Sequence, residues 1–190
     1  MGTTYPSFAT PDQYAALTNT DVDPDIQPML DAASSLIRRY CGWHVSPIVT
    51  EDVIVDGRGG YVQTLPTLHL VELLTLDETS CTGTLTSYVG DEIEWSTSGF
   101  LRKCSLWTDR LRGIKASISH GFDPDDCGYL ATLCASIVAR ASASPYGEKA
   151  QTVGSVSVQY STATDGSSGG VALSESQMAQ LDSLRLFGRP

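Results

Sequence analysis

The chain has 190 residues, enough for one domain, or a domain with an embellishment, to bury a sizeable core, and too few for two full domains. Its 22 acidic against 12 basic residues give a formal net charge of -10, the wrong sign for a protein that holds DNA by neutralising phosphates. Hydrophobic residues at 41% and charged residues at 18% describe a folded acidic protein and argue against bulk disorder.

The opening Met1-Gly2-Thr3-Thr4-Tyr5-Pro6 lacks the basic patch and apolar run of a signal peptide. No stretch approaches the roughly 18 apolar residues of a membrane span, so a soluble protein made in a cytosol is expected. A short helix is expected over about 11–18, with Thr10 as its cap, Pro11 at its first position, and Tyr14 and Leu17 facing inward. A longer helix follows over about 25–41. Ile26, Met29, Leu30, Ala33, Ile37, Tyr40 and Cys41 recur at the spacing of one apolar face, Asp25 complements the dipole at the start, and Arg38, Arg39 and Gly42 mark the end.

From about 45 to 120 the texture changes to short β-rich runs. Val53 and Val55 alternate up to Asp56-Gly57-Arg58-Gly59-Gly60, after which Tyr61 to Leu65 is expected to return as the second strand of a hairpin. Leu68 to Leu76, Ile93 to Trp95, Phe100 to Arg102 and Leu111 to Ser119 complete an antiparallel set, with Pro66 at an edge. In the last of these runs Ile114, Ala116 and Ile118 point one way and Lys115, Ser117 and Ser119 the other. A second long helix spans about 124–142, its inward face made by Cys127, Leu130, Cys134, Ile137, Val138 and Ala141.

A strand is predicted over about 152–160, then a Gly/Ser-rich linker over 162–170, then a helix and arm over 174–190. Ser174 and Gln177 form the capping box of that helix, with Met178, Leu181 and Leu184 behind it. The fold class read from this order is α+β: a small helical bundle, an inserted antiparallel β-rich region, and a C-terminal helix and arm. The apolar and basic end, Leu186-Phe187-Gly188-Arg189-Pro190, has little reason to exist unless it docks somewhere.

Chemistry is sparse. The five cysteines, Cys41, Cys81, Cys104, Cys127 and Cys134, are odd in number and contain no C-x-x-C pair, so reduced and mostly buried thiols are expected. Gly166-Ser167-Ser168-Gly169-Gly170 matches the nucleophile elbow in letters, but its flanks are linker and no histidine follows His120. His44, His69 and His120 lie on separate segments without a metal-ligand spacing. Asp21-Val22-Asp23-Pro24-Asp25 alternates like a calcium loop, yet Ile26 stands where that loop needs glycine and Ala32 where it needs glutamate. No catalytic residue, cofactor or metal is predicted.

Arg102, Lys103, Arg110, Arg112 and Lys115 concentrate positive charge against a single Asp109. They are either solvated residues answering acidic neighbours or an electrostatic contact with an acidic partner or nucleic acid. Trp43, Trp95 and Trp107 read as core or subunit-interface anchors. The alternative makes them the aromatic lining of a non-enzymatic ligand- or carbohydrate-binding β-rich module.

Taken in order, several stretches resemble the head-to-tail connector (adaptor) proteins of long-tailed double-stranded DNA bacteriophages, especially those infecting actinobacteria. They are Ile37-Arg38-Arg39-Tyr40-Cys41-Gly42-Trp43-His44, Leu65-Pro66-Thr67-Leu68-His69-Leu70, Trp95-Ser96-Thr97-Ser98-Gly99-Phe100-Leu101-Arg102, and Ser119-His120-Gly121-Phe122-Asp123. Ala139-Arg140-Ala141, Ser144-Pro145, Val153-Gly154-Ser155-Val156-Ser157-Val158-Gln159-Tyr160 and Leu173-Ser174-Glu175 continue the series, while Cys81 and the region 77–91 have no counterpart in it.

The resemblance implies a structural, non-enzymatic protein of the virion neck, synthesised in the bacterial host cytoplasm. It implies a homo-oligomeric ring, usually dodecameric, between the portal protein and a stopper or tail-completion protein, with genomic DNA passing through the lumen and no membrane contact. By that analogy Leu181, Leu184, Arg185, Leu186, Phe187, Arg189 and Pro190 would supply the portal-docking residues. The net charge of -10 fits such a conduit, because an acidic wall repels phosphate and lets the duplex slide.

Overall fold

The computed structural model describes residues 5–88, 92–143 and 171–186, with 150–153 and 156–159 as backbone. The fold is α+β and divides into two compact units, the first Met1–His44 with Pro124–Arg185 and the second Val45–Asp123 with Leu186–Pro190.

In the first unit, helix α1 (Pro11–Thr18) begins with the expected proline and a full capping box between Thr10 and Gln13, and stops at Asn19 in the left-handed region. Its buried residue is Ala15, whereas Tyr14 is half-buried and Leu17 exposed. The expected inward Leu17 is therefore corrected: α1 packs on the later helix α3 (Gly128–Ala143) through a small side chain.

A 3-10 turn at Pro24–Ile26, capped by the Asp23 carboxylate, displaces the start of helix α2 to Gln27–Cys41. Leu30, Ala33, Ile37 and Cys41 then recur on its buried face, and Gly42 ends it at a φ of 81°, where a side chain would be strained. Helix α3 likewise starts later than the acidic run suggested, because residues 124–127 form a turn in which the Cys127 N–H donates to Pro124 O at 3.3 Å.

Leu130, Cys134, Ile137 and Val138 of α3 face the same core as α2. Burial pushes the Cys41 thiol up to about 12 and raises Cys134 as well, so both stay protonated and act as small apolar groups. Cys127 is buried too, but Cys81 and Cys104 are exposed.

Helix α4 (Glu175–Leu181) carries the expected Ser174/Gln177 capping box, then tightens into a 3-10 turn at Asp182–Leu184 instead of continuing. Trp43 Nε1 donates to Leu184 O at 2.8 Å and Tyr40 Oη to Asp182 Oδ1 at 2.6 Å, which pins that turn to the end of α2.

The second unit contains a four-stranded antiparallel sheet in the order β1 (Val49–Val55), β7 (Ile114–His120), β3 (Leu70–Thr79), β4 (Leu85–Tyr88). A smaller sheet holds β2 (Val62–Thr64), β6 (Phe100–Arg102) and β5 (Glu94–Trp95). The expected β1–β2 hairpin is corrected by this pairing. The Asp56–Gly60 segment spends its backbone donors on the 108–110 loop, with Gly57 N–H to Arg110 O at 2.9 Å and Gly59 N–H to Thr108 O at 3.1 Å. A Cβ on Gly57 would lie 2.1 Å from Thr108 O, so the approach needs glycine.

Register places Val53, Ala116 and Leu76 side by side on the inner face. They join Leu70, Ile114, Ile118, Leu65, Leu101, Ile93 and Trp107 in one apolar cluster. The two ends of the 45–123 stretch meet at one end of the sheet, where the Phe122 N–H donates to Val45 O at 2.8 Å and Val49 lies opposite His120.

In the first unit, β8 (Ala150–Val153) and β9 (Val156–Gln159) pair antiparallel with Val153 opposite Val156. The single strand expected over 152–160 is therefore a two-stranded ladder. The linker over 162–170, with its serine motif, lies outside the described residues. No helix among the described residues is long and apolar enough to cross a membrane.

Candidate interaction surfaces

The positive cluster of the sequence separates into three environments within the β unit. Lys103 is buried and forms an ion pair with Glu78. Tyr88 Oη donates to Glu78 Oε2 at 2.5 Å, the Thr108 N–H reaches Glu78 Oε1 at 2.5 Å, and Lys103 Nζ also donates to Tyr88 Oη at 2.7 Å. The ammonium stands 4.4 Å from the Trp107 ring centre and 4.9 Å from that of Tyr88.

Burial alone would raise the Glu78 carboxyl, but hydrogen bonds from Lys103, Tyr88 and the Thr108 N–H outweigh it and hold the carboxyl below the usual range. Lys103 is raised in turn, its burial outweighed by Glu78 and Tyr88. The quartet therefore ties the β3–β4 hairpin to the 103–108 loop. Glu78 was missed as a site residue in the sequence. Its signal was phase, because it follows the inward Leu76 by one strand period and so had to bring a carboxylate inside.

Lys115 lies on the outer sheet face, 3.5 Å from Asp52, with both side chains more than half exposed. Arg102, Arg110 and Arg112 are exposed. Arg110 and Arg112 share one end of the sheet with the Asp56–Gly60 loop, since Asp56 Oδ1 accepts the Arg112 N–H at 2.6 Å, whereas Arg102 sits on the outer face of the smaller sheet, opposite Val62 and Glu94.

Of the C-terminal candidates, Leu181 and Leu184 are buried in the helical unit's own core, and Arg185 is exposed with its guanidinium 5.0 Å from the Tyr40 ring centre. Leu186 is half-buried; Phe187, Arg189 and Pro190 lie outside the described residues.

His69 Nδ1 lies 2.8 Å from Gly121 O and its ring stacks on Phe122, which fixes the end of β7. His120 Nε2 lies 3.0 Å from Glu51 Oε1, and burial holds His120 below the ordinary imidazole range despite that carboxylate. Trp43 and Trp107 are buried and Trp95 is exposed.

A cleft of about 630 Å³ in the helical unit is lined by Asp31, Ser34 and Arg38 among others. There Arg38 covers the Phe8 ring at 4.2 Å and donates to Pro6 O at 2.7 Å and His44 O at 2.9 Å. Another of about 450 Å³ in the β unit borders Glu78, Lys103, Trp107 and Cys81. In both, the charged groups hold neighbouring segments in place.

No protein-family model matches the chain, and neither does any curated protein. Solved structures do share its fold. A chain from the neck of an empty gene transfer agent particle is 17% identical, with a TM-score of 0.53 over 100% of this chain and 97% of that one. A chain from the virion of the native gene transfer agent particle is also 17% identical, with a TM-score of 0.52 over 99% and 97%.

Proposed function

We propose that this protein is a structural component of a virion neck: a head-to-tail adaptor that forms a dodecameric ring between a portal and a stopper or tail-completion ring and lines the DNA exit channel without catalysis. The single observation that carries the reading is the fold shared along the whole chain with a chain from the neck of a gene transfer agent particle. The net charge of -10 supports it, because a channel wall that repels phosphate lets DNA pass without the salt-dependent grip of a basic surface.

In this reading Leu181 and Leu184 anchor the C-terminal turn in the helical unit, and the residues from Arg185 to Pro190 form the segment that docks on the portal. The docking chemistry is apolar and basic, from Leu186, Phe187, Arg185 and Arg189. Arg102 supplies an exposed charge for a further acidic neighbour in the neck.

Electron microscopy of the chain mixed with its portal tests the assembly. A ring coaxial with the portal is the expected image, and a monodisperse monomer indifferent to portal overturns the proposal. Deleting Phe187 to Pro190 spares the buried Leu181 and Leu184, so the truncated chain should fold and fail to join the portal. Unchanged joining would remove the C-terminal segment from the docking role.

A further inference from the structure

At the end of the four-stranded sheet opposite Val49 and His120, register brings together the end of β1, the start of β7 and the turn between β3 and β4. This tip exposes three leucines. Leu111 is 74% exposed, Leu85 62% and Leu106 57%. Around them stand the exposed Arg58, Arg110 and Arg112.

The loops that carry these side chains are braced. Asp56 Oδ1 accepts the Arg112 N–H, the Arg58 N–H donates to Gln63 Oε1 at 3.2 Å, and Arg110 Nη1 reaches Ser80 O at 3.3 Å. A braced tip with solvated leucines and guanidinium groups is prepared to receive one apolar side chain flanked by carboxylates, because little ordering entropy remains to be lost on binding.

The chain carries such a segment. Asp21-Val22-Asp23-Pro24-Asp25 is exposed throughout, with Val22 55% exposed between two aspartates. It too is braced: the Thr20 N–H donates to Ala15 O at 3.1 Å, and Asp23 Oδ1 accepts the Asp25 N–H at 3.0 Å.

The geometry points to the occupant of the β-unit tip being the Asp21–Asp25 segment of a second copy of this chain, with Val22 set among Leu85, Leu106 and Leu111 and the carboxylates facing Arg58, Arg110 and Arg112. The two surfaces differ, so the contact is heterologous and propagates head to tail until it closes, which makes it the subunit contact of the ring proposed above and rests on that reading. It also gives the exposed carboxylates of the acidic loop and the exposed arginines of the tip partners of opposite charge.

Two charge-reversed proteins test it: Arg58→Glu with Arg112→Glu, and Asp21→Arg with Asp25→Arg. All four side chains are exposed, and circular dichroism and urea unfolding verify that each variant folds. Sedimentation of the full chain, alone and with portal, reads assembly. Wild type should self-associate and weaken with added salt. Each variant alone should lose association by about tenfold or more, because like charges then oppose across every contact.

An equimolar mixture should recover assembly, since every contact between alternating variants again pairs opposite charges. Variants that assemble alone as wild type does, or a mixture that stays dissociated while wild type forms rings, overturn this contact and leave the ring reading standing. A wild-type chain that remains monomeric both alone and with portal overturns the two together.

Discussion

In the helical unit, Leu30, Ala33, Ile37 and Cys41 meet Leu130, Cys134, Ile137 and Val138, and even the thiols are held in their uncharged form. In the β unit an apolar cluster around Val53, Leu76 and Ala116 lies beside a buried ion pair, Glu78 with Lys103, roofed by Tyr88 and Trp107. The difference follows from geometry. A helix satisfies its own backbone and can bury a wholly apolar stripe. A small sheet must tie long loops to its edge, and here buried charge and a tyrosine hydroxyl, together with backbone hydrogen bonds, hold the 103–108 loop to the hairpin.

The sharpest way to break that contrast is to remove one partner of the buried pair. Glu78→Ala leaves the Lys103 ammonium uncompensated and should cost about 3–5 kcal/mol in urea unfolding. A loss below about 1 kcal/mol would reduce the pair to a bystander. On the other side, Leu30→Ala opens a cavity against α3 and should cost about 2–5 kcal/mol with no dependence on pH or salt. A strong salt dependence in that variant would blur the distinction between the units.

Acid should separate them as well. The folded Glu78 carboxyl lies below its unfolded value, so the stability it contributes is fully present above that value and is lost as pH falls through the folded one. His120 acts in the same direction at higher pH: burial lowers it, so the unfolded chain gains protons first as pH falls through about 6.5. Unfolding midpoints measured across acid pH should therefore fall less steeply in Glu78→Gln than in wild type. Parallel curves would mean that the pair contributes nothing to the pH dependence.

Smaller effects sharpen the picture. Ser174→Ala removes the side-chain acceptor that opens α4 and should cost about 1 kcal/mol by urea unfolding. Lys115→Ala breaks an exposed pair with Asp52 and should change stability by less than about 0.5 kcal/mol, a direct contrast with the buried Lys103.

Much of the helical unit was legible in the residues. Apolar period, Thr10 with Gln13, Ser174 with Gln177, and Gly42 after Arg38 and Arg39 placed the helices, because caps and periods act over a few residues. Boundaries slipped at Pro24 and Pro124, where turns precede the helices and the acidic runs belong to those turns. Strand pairing was less legible. Val53 and Val55 announced β1, but nothing local announced that Ile114 to His120, far along the chain, would be its partner.

The candidate surfaces divide in the same way. Sequence gathered Arg102, Lys103, Arg110, Arg112 and Lys115 by proximity along the chain, yet alternation within strands and the path of one loop sent Lys103 inward, Lys115 to a sheet face and Arg112 to the tip. Leu181 and Leu184, read as part of a docking arm, are instead the core contacts of the last turn.

Composition, charge and short-range pattern by themselves determined the α+β class, the helix caps and the acidic balance of the chain, because these are set by the residues present and by patterns a few residues long. Only the tertiary structure decided which strands pair, which lysine is buried against which carboxylate, and which leucines and arginines share the tip. Those outcomes depend on contacts between residues remote in sequence, where the free energy of burial selects one arrangement among many that local propensity leaves equal.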